Sequence, residues 1–176
     1  MTICRGAWAG LLVAATLISC ENHNDLLINQ IVVNAPRQLD DDVEDKAEIE
    51  EWIRQWMGRQ SGVRWAPQDT AQSLGAVLNI RIGDVLDATN ERAKDVRQVF
   101  VRLRFANGGL YNFEGRGAQP EDLQASVVSG FEDAWNVIML ARKAEGSGKQ
   151  AILKIIEDPD ARLREFGLEW VAEKKL

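Results

Sequence analysis

Histidine is almost absent from this chain: one residue, His23, in 176. A Ser-His-Asp triad, a Cys-His pair and a multi-histidine metal site therefore cannot be assembled within one chain. Cysteine is scarce too, and both copies, Cys4 and Cys20, lie at the amino end. Positive charge is in deficit: 21 Lys and Arg against 27 Asp and Glu leave a net charge of −6. Such a balance argues against nucleic acid as a partner, because phosphate backbones are repelled on average. No glycine-rich loop can cradle a phosphate; Gly115-Arg116-Gly117 is too short and precedes Pro120. Long apolar runs are also missing. The stretch from Ala7 to Ile18 holds about 12 residues, whereas a helix crossing a bilayer needs about 20.

That short run is informative in its place. Arg5 precedes it, small residues close it, and Leu17-Ile18-Ser19-Cys20 follows. A cleaved signal peptide is expected over 1–19. The four residues ending at Cys20 resemble the lipobox of bacterial lipoproteins (aliphatic, variable, small, cysteine). The resemblance implies a diacylglyceryl group on the Cys20 thiol, cleavage before it and acylation of the new amine. Several acyl chains on one residue suffice for stable membrane attachment. Cleavage would leave one cysteine, itself consumed by acylation, so no internal disulfide could form. Glu21 follows the cysteine. By analogy with enterobacterial lipoproteins, where aspartate there retains the protein at the inner membrane, this implies the periplasmic face of an outer membrane. The tether at 20–26 is short. Fully extended, the chain from Glu21 to Leu26 reaches about 20 Å, so the folded part must sit near the bilayer.

With 45% hydrophobic and 27% charged residues, the remaining chain has the composition of a globular domain with a sizeable core. A first strand is expected over 26–33 and a helix from Asp40-Asp41-Asp42 to Gly58, with Ile49, Trp52, Ile53, Trp56 and Met57 on one apolar face. Val63-Arg64-Trp65 reads as a short strand. In the strand expected over 76–86, Leu78, Ile80 and Ile82 share one face and Asn79 and Arg81 the other. After a polar loop over 87–96, the strand expected over 98–105 alternates Val99, Val101, Leu103 and Phe105 with Phe100, Arg102 and Arg104. Asn107-Gly108-Gly109 turns it into a further strand over 110–114. A long helix over 121–144 carries the stripe Leu123, Val127, Phe131, Ala134, Trp135 and Ile138. Gly146-Ser147-Gly148 is a flexible break, and two short helices complete the chain.

The expected fold is therefore α+β: a mainly antiparallel sheet of four or five strands, packed by two helices on one face and followed by a helical hairpin. Domain boundaries fall at 27–145 for the α/β part and 146–176 for the hairpin. The order of LLINQIVVNAP, the Trp-bearing helix, LNIRIGDVL, VFVRLRF and the long helix resembles the amino-terminal α/β domain of TolB and similar envelope lipoproteins. The stretch from Asp158-Pro159-Asp160 to Glu165 resembles the start of the second helix of a HEAT-type repeat, after a partner helix over 149–157. The resemblance implies that Asp158 and Pro159 start the helix, Leu163 packs and Arg164 joins a polar ladder. Phe166 departs from it, standing where that family usually has a small residue. Repeats of this kind need about three copies to bury a continuous core, so a single pair must dock on its own domain or on another chain.

Carboxylates remain as candidates for chemistry: Asp40, Asp41, Asp42, Asp84, Asp87 and Glu114. Chance placement of abundant acids accounts for them, and Asp40-Asp41-Asp42 lacks the glycine and distal glutamate of an EF-hand. No catalytic residue, metal or cofactor is expected. The more informative feature is the strand face turned away from the core. Arg81, Arg102, Arg104 and Arg116 fall there with Phe100, in an otherwise acidic chain. Arginine beside an exposed aromatic is favoured at interfaces, which suits an acidic partner or anionic headgroups. The alternative is a solvated face whose arginines pair with Glu114 and Asp84. Among the tryptophans, Trp52, Trp135 and Trp170 are expected in the core, with Trp56 and Trp65 partly exposed. The function expected is a non-catalytic binding or assembly module in the cell envelope. A carboxylate-based hydrolase or glycan binder, and a self-assembling structural subunit, are the alternatives.

Overall fold

Alternating apolar residues build a sheet with one buried face, and two amphipathic helices bury it. The computed structural model describes residues 26–34, 46–66, 75–86, 92–118 and 122–175. The leader, Cys20, the tether, Asp40, Asp41, Asp42, Asp87 and Pro120 lie outside the described residues. The elements are β1 (Leu26–Asn34), α1 (Lys46–Met57), β2 (Val63–Trp65), β3 (Ala76–Leu86), β4 (Arg92–Arg104), β5 (Leu110–Gly117), α2 (Leu123–Ser147), α3 (Lys149–Ile155) and α4 (Ala161–Lys174).

The five strands form one sheet in the order β2-β1-β3-β4-β5. β3, β4 and β5 are the expected antiparallel meander, and their two ladders are the longer ones. β1 enters this meander in parallel, beside β3, and β2 adds to its other side after the α1 crossover. The α+β class and the mainly antiparallel sheet with helices on one face are as the sequence predicts. Strand β4 is longer than expected, because it begins at Arg92 inside the stretch read as a polar loop. Pairing of Leu86 with Arg92 and of Asp84 with Arg97 extends the hairpin there, so a ladder overrides weak local propensity.

Register in β1 depends on one inserted residue. Ile28 pairs with Ala76 but Gln30 with Val77, so Asn29 is bulged out. A shift of one residue swaps the two faces of a strand. The bulge makes that swap midway, which lets Leu26 and Ile28 before it, and Ile31 and Val33 after it, all bury. The Asn29 side-chain amide donates to the Ala66 carbonyl at 3.0 Å, so the bulge is also tied to the end of β2.

Helices α1 and α2 meet over the buried face through an aromatic cluster. The ring of Trp56 lies edge-on to Phe131 at 5.0 Å and to Trp135 at 5.9 Å. Trp56 is therefore core, correcting the expectation of partial exposure, whereas Trp52 and Trp170 are only partly buried. Helix α2 approaches β5 very closely because the facing residues are small. A Cβ at Gly115 would stand 1.9 Å from the Gly130 carbonyl oxygen, and one at Gly117 would stand 2.0 Å from that of Ser126. Asp122 caps α2 by accepting the Ala125 N–H at 2.9 Å.

The helix runs on through Ser147, and Gly148, with φ 87°, makes the break. The hairpin of α3 and α4 then docks on its own sheet. Ile152 and Leu163 are buried, and the Phe166 ring lies 6.0 Å from those of Tyr111 and Phe113 on β5. Asp160 caps α4, accepting the Arg162 N–H at 2.9 Å, and Asp158 accepts the Asp160 N–H at 2.9 Å. Arg164 turns back to the carbonyls of Asp158 and Pro159 at 2.7 and 2.8 Å.

Candidate interaction face

Among the described residues no helix covers the other face of the sheet, and the residues between the core positions line it. From β1 these are Gln30, Val32 and Asn34; from β3, Val77, Asn79 and Arg81; from β4, Gln98, Phe100, Arg102 and Arg104; from β5, Leu110, Asn112, Glu114 and Arg116. Sequence alternation placed Arg81, Phe100, Arg102, Arg104 and Arg116 on one face, and the structure brings all five to it.

Register adds what alternation leaves open. Arg81 is directly opposite Phe100 across the β3–β4 ladder, and its guanidinium carbon lies 4.1 Å from the ring centroid. Such a stack at an exposed site contributes about 0.5–1 kcal/mol and holds the arginine flat against the sheet. Arg102 lies between Asn79 and Asn112, and Arg104 between Val77 and Leu110. Two residues apart on one strand, their backbones are about 7 Å apart, and no acid stands opposite either. Neither side chain forms a hydrogen bond or ion pair among the described residues.

Glu114 is the acid that the described residues bring to this face, and it is engaged. It accepts from the Gln98 amide at 2.8 Å and lies 3.8 Å from the Arg116 guanidinium. Arg116 is thus paired, in part as a solvated face would have it, while Arg102 and Arg104 are not. The side chain of Asp84, the other acid considered, lies outside the described residues. The face is shallow and concave, with a volume of about 830 Å³ between Gln30 and Asn112 over Val32, Val77 and Phe100. Among the described residues, no group of three His, Cys, Asp or Glu could hold a metal ion, and no helix is long and apolar enough to cross a membrane.

A second polar group lies at the β5 edge, and sequence reasoning missed it. The Arg162 guanidinium donates to Asp133 at 2.8 and 3.1 Å, to Asp160 at 2.7 Å and to the Glu114 carbonyl at 2.5 Å. The Arg162 side-chain hydrogen bond holds the Asp160 carboxyl below its ordinary pKa, and the two acids raise that of Arg162. Nearby, the Tyr111 hydroxyl donates to Glu145 at 2.5 Å; burial, and then that carboxylate, push its pKa well above the usual phenol range. Arg164, expected in a polar ladder, bonds its own helix start instead. The visible signal for Arg162 was only an acid two residues before it.

No family model matches the chain, and no curated protein does. Solved structures similar to it include PelC L103M from Paraburkholderia phytofirmans, determined as a dodecamer. That chain is 14% identical over 63% of this one and 88% of its own length, with a TM-score of 0.39. Rare lipoprotein B from Shewanella oneidensis is 12% identical over 84% of this chain and 96% of its own, with a TM-score of 0.24. Likenesses at these scores establish neither a common fold nor a common function.

Proposed function

We propose that this chain is a lipid-anchored protein of the cell envelope whose folded domain binds an acidic partner through the uncovered face of its sheet. One observation carries the reading. Arg102 and Arg104 stand side by side on that face, exposed and without an anionic partner among the described residues, in a chain of net charge −6. An uncompensated pair of like charges is relieved by an anion, and the Arg81–Phe100 stack supplies a flat, partly apolar contact beside it. The role is non-catalytic. Anchoring comes from the lipobox-like residues ending at Cys20, and Glu21 after it favours an outer membrane facing the periplasm. The short tether keeps the contact surface close to the bilayer.

The test is site-specific photocrosslinking in cells from Asn79 and Asn112, with Lys143 on the helical side as a control position. Adducts are expected from the two sheet positions, and the double substitution Arg102→Glu and Arg104→Glu should abolish them without lowering the melting temperature. Equal adduct yield from the double variant excludes this face. Cys20→Ala, followed by labelling with a fatty-acid analogue, tests the anchor: retained label in that variant rules out lipidation at Cys20.

A further inference from the structure

The two edges of the sheet are treated differently, and the difference marks a second binding site. At one edge, β2 is only three residues long, too short to template another chain. At the other, β5 spans Leu110–Gly117. The Phe105 N–H donates to the Gly109 carbonyl at 2.8 Å, which fixes the phase of the β4–β5 ladder. Tyr111, Phe113, Gly115 and Gly117 therefore turn their backbone groups towards β4. Leu110, Asn112, Glu114 and Arg116 turn theirs to the free edge.

The far half of that edge is closed by side chains. Arg162 donates to the Glu114 carbonyl, Asp133 accepts the Arg116 N–H at 3.2 Å, and Ser129 accepts the Ala118 N–H at 3.1 Å. The near half has no such caps. The backbone N–H and C=O of Leu110 and Asn112 find no partner among the described residues, and both side chains are exposed. A groove of about 490 Å³ runs along this half, between Leu110, Asn112 and Phe113 on one side and Phe166, Glu165 and Glu169 of α4 on the other. Glu165 and Glu169 are one helical turn apart, exposed, and without a hydrogen bond or ion pair among the described residues.

We propose that the open half of β5 takes up an extended basic peptide segment as a sixth strand. The free backbone groups at Leu110 and Asn112 pair with it, and alternate Lys or Arg side chains face Glu165 and Glu169. Residues between them turn to the sheet face beside Arg104, where small or apolar side chains avoid repulsion. A second copy of this chain is disfavoured as occupant. Edge-to-edge pairing about Asn112 would bring the α4 glutamates of both copies to the same seam, in molecules that already carry net negative charge.

The experiment uses the full chain in detergent and a probe peptide alternating Lys and Val over seven residues, acetylated and amidated, with binding read by fluorescence anisotropy. Saturable binding is expected. The same peptide N-methylated at alternate residues keeps its charges but cannot pair along the backbone, and its binding should be lost. Glu165→Lys with Glu169→Lys should weaken the unmodified probe about tenfold or more, as for close interfacial charge pairs. Asn112→Pro, which removes an N–H pointing away from β4, should weaken it while leaving the β4 ladder intact. No saturable binding by the wild type, equal binding of the N-methylated peptide, or indifference to the glutamate reversal each overturns the proposal. A dimer seen by light scattering and lost in Asn112→Pro would make a second copy the occupant and overturn it too.

Discussion

The two faces of the β3–β4 ladder are made from neighbouring residues of the same strands, and they obey different constraints. On the inner side, Leu78, Ile80, Val99, Val101 and Leu103 are all 0% exposed beneath α1 and α2. On the outer side Arg102 and Arg104, each one residue away from a core position, are exposed and unpaired among the described residues. Packing dictates the first set: any change in volume there meets a neighbour. It dictates little of the second, since a solvated sheet face accepts most polar residues at small cost. The outer arginines are thus not required by the fold, and that is what makes them informative about function.

The largest effect that should sharpen this contrast comes from emptying the inner face. Phe131 is fully buried, with ring contacts to both Trp56 and Trp135. Phe131→Ala is expected to cost about 3–5 kcal/mol of unfolding free energy, measured by urea denaturation. The double glutamate substitution at Arg102 and Arg104 should stay within about 0.5 kcal/mol in the same assay. A loss above about 1 kcal/mol for the outer pair would show that the two faces are energetically joined after all.

A somewhat smaller loss is expected where α2 meets β5. Gly115→Ala places a methyl 1.9 Å from a backbone oxygen rather than from a flexible side-chain end. Helix α2 must then lift from the sheet, at about 1–3 kcal/mol, the usual cost of overpacking. Ala at Gly109, where a Cβ would meet only the Asn107 and Phe105 side chains at 3.4 Å or more, is the comparison. Equal thermal shifts for the two variants would mean that close approach is not what selects glycine at Gly115.

How far the chain could be read without its structure follows the same division. Period-two alternation over 76–86 and 98–105 is a local signal, and it placed both faces correctly, including Arg81, Phe100, Arg102 and Arg104. The parallel entry of β1 between β2 and β3 is not local, nor is the Asn29 bulge that keeps its apolar residues inward. The Arg81–Phe100 stack was hidden for the same reason: each residue was assigned to the face, but their juxtaposition depends on ladder register. Arg162 was the clearest miss. Its partner Asp133 lies 29 residues away, on another helix, and no periodicity connects them. The leader expected over 1–19 and Cys20 both lie outside the described residues, so cleavage and lipidation rest on the residues around the cysteine and await labelling.

The hairpin tests whether the contrast between faces extends to the rim of the sheet. Its apolar contacts, Leu163 and Phe166, belong with the inner core, but Arg162, oriented by Asp160, fastens it to the β5 edge through the Glu114 carbonyl and to α2 through Asp133. Asp160 has its pKa lowered from the ordinary 3.8, first by the Arg162 side-chain hydrogen bond. A carboxyl whose folded pKa is depressed stabilises the fold above its unfolded value, and that contribution is lost as the pH falls through the folded one. The pair is partly exposed, with side chains 29% and 28% accessible, so solvent limits the effect to under about 1 kcal/mol. Asp160→Asn should therefore be slightly less stable than the wild type at pH 6, and the gap should close as the pH is taken well below 3.8. Thermal melts of both proteins across that range measure it. A gap that stays constant would assign the role of Asp160 to its backbone cap alone, and the polar hold on the rim would then rest on the bonds of Arg162 to Glu114 and Asp133.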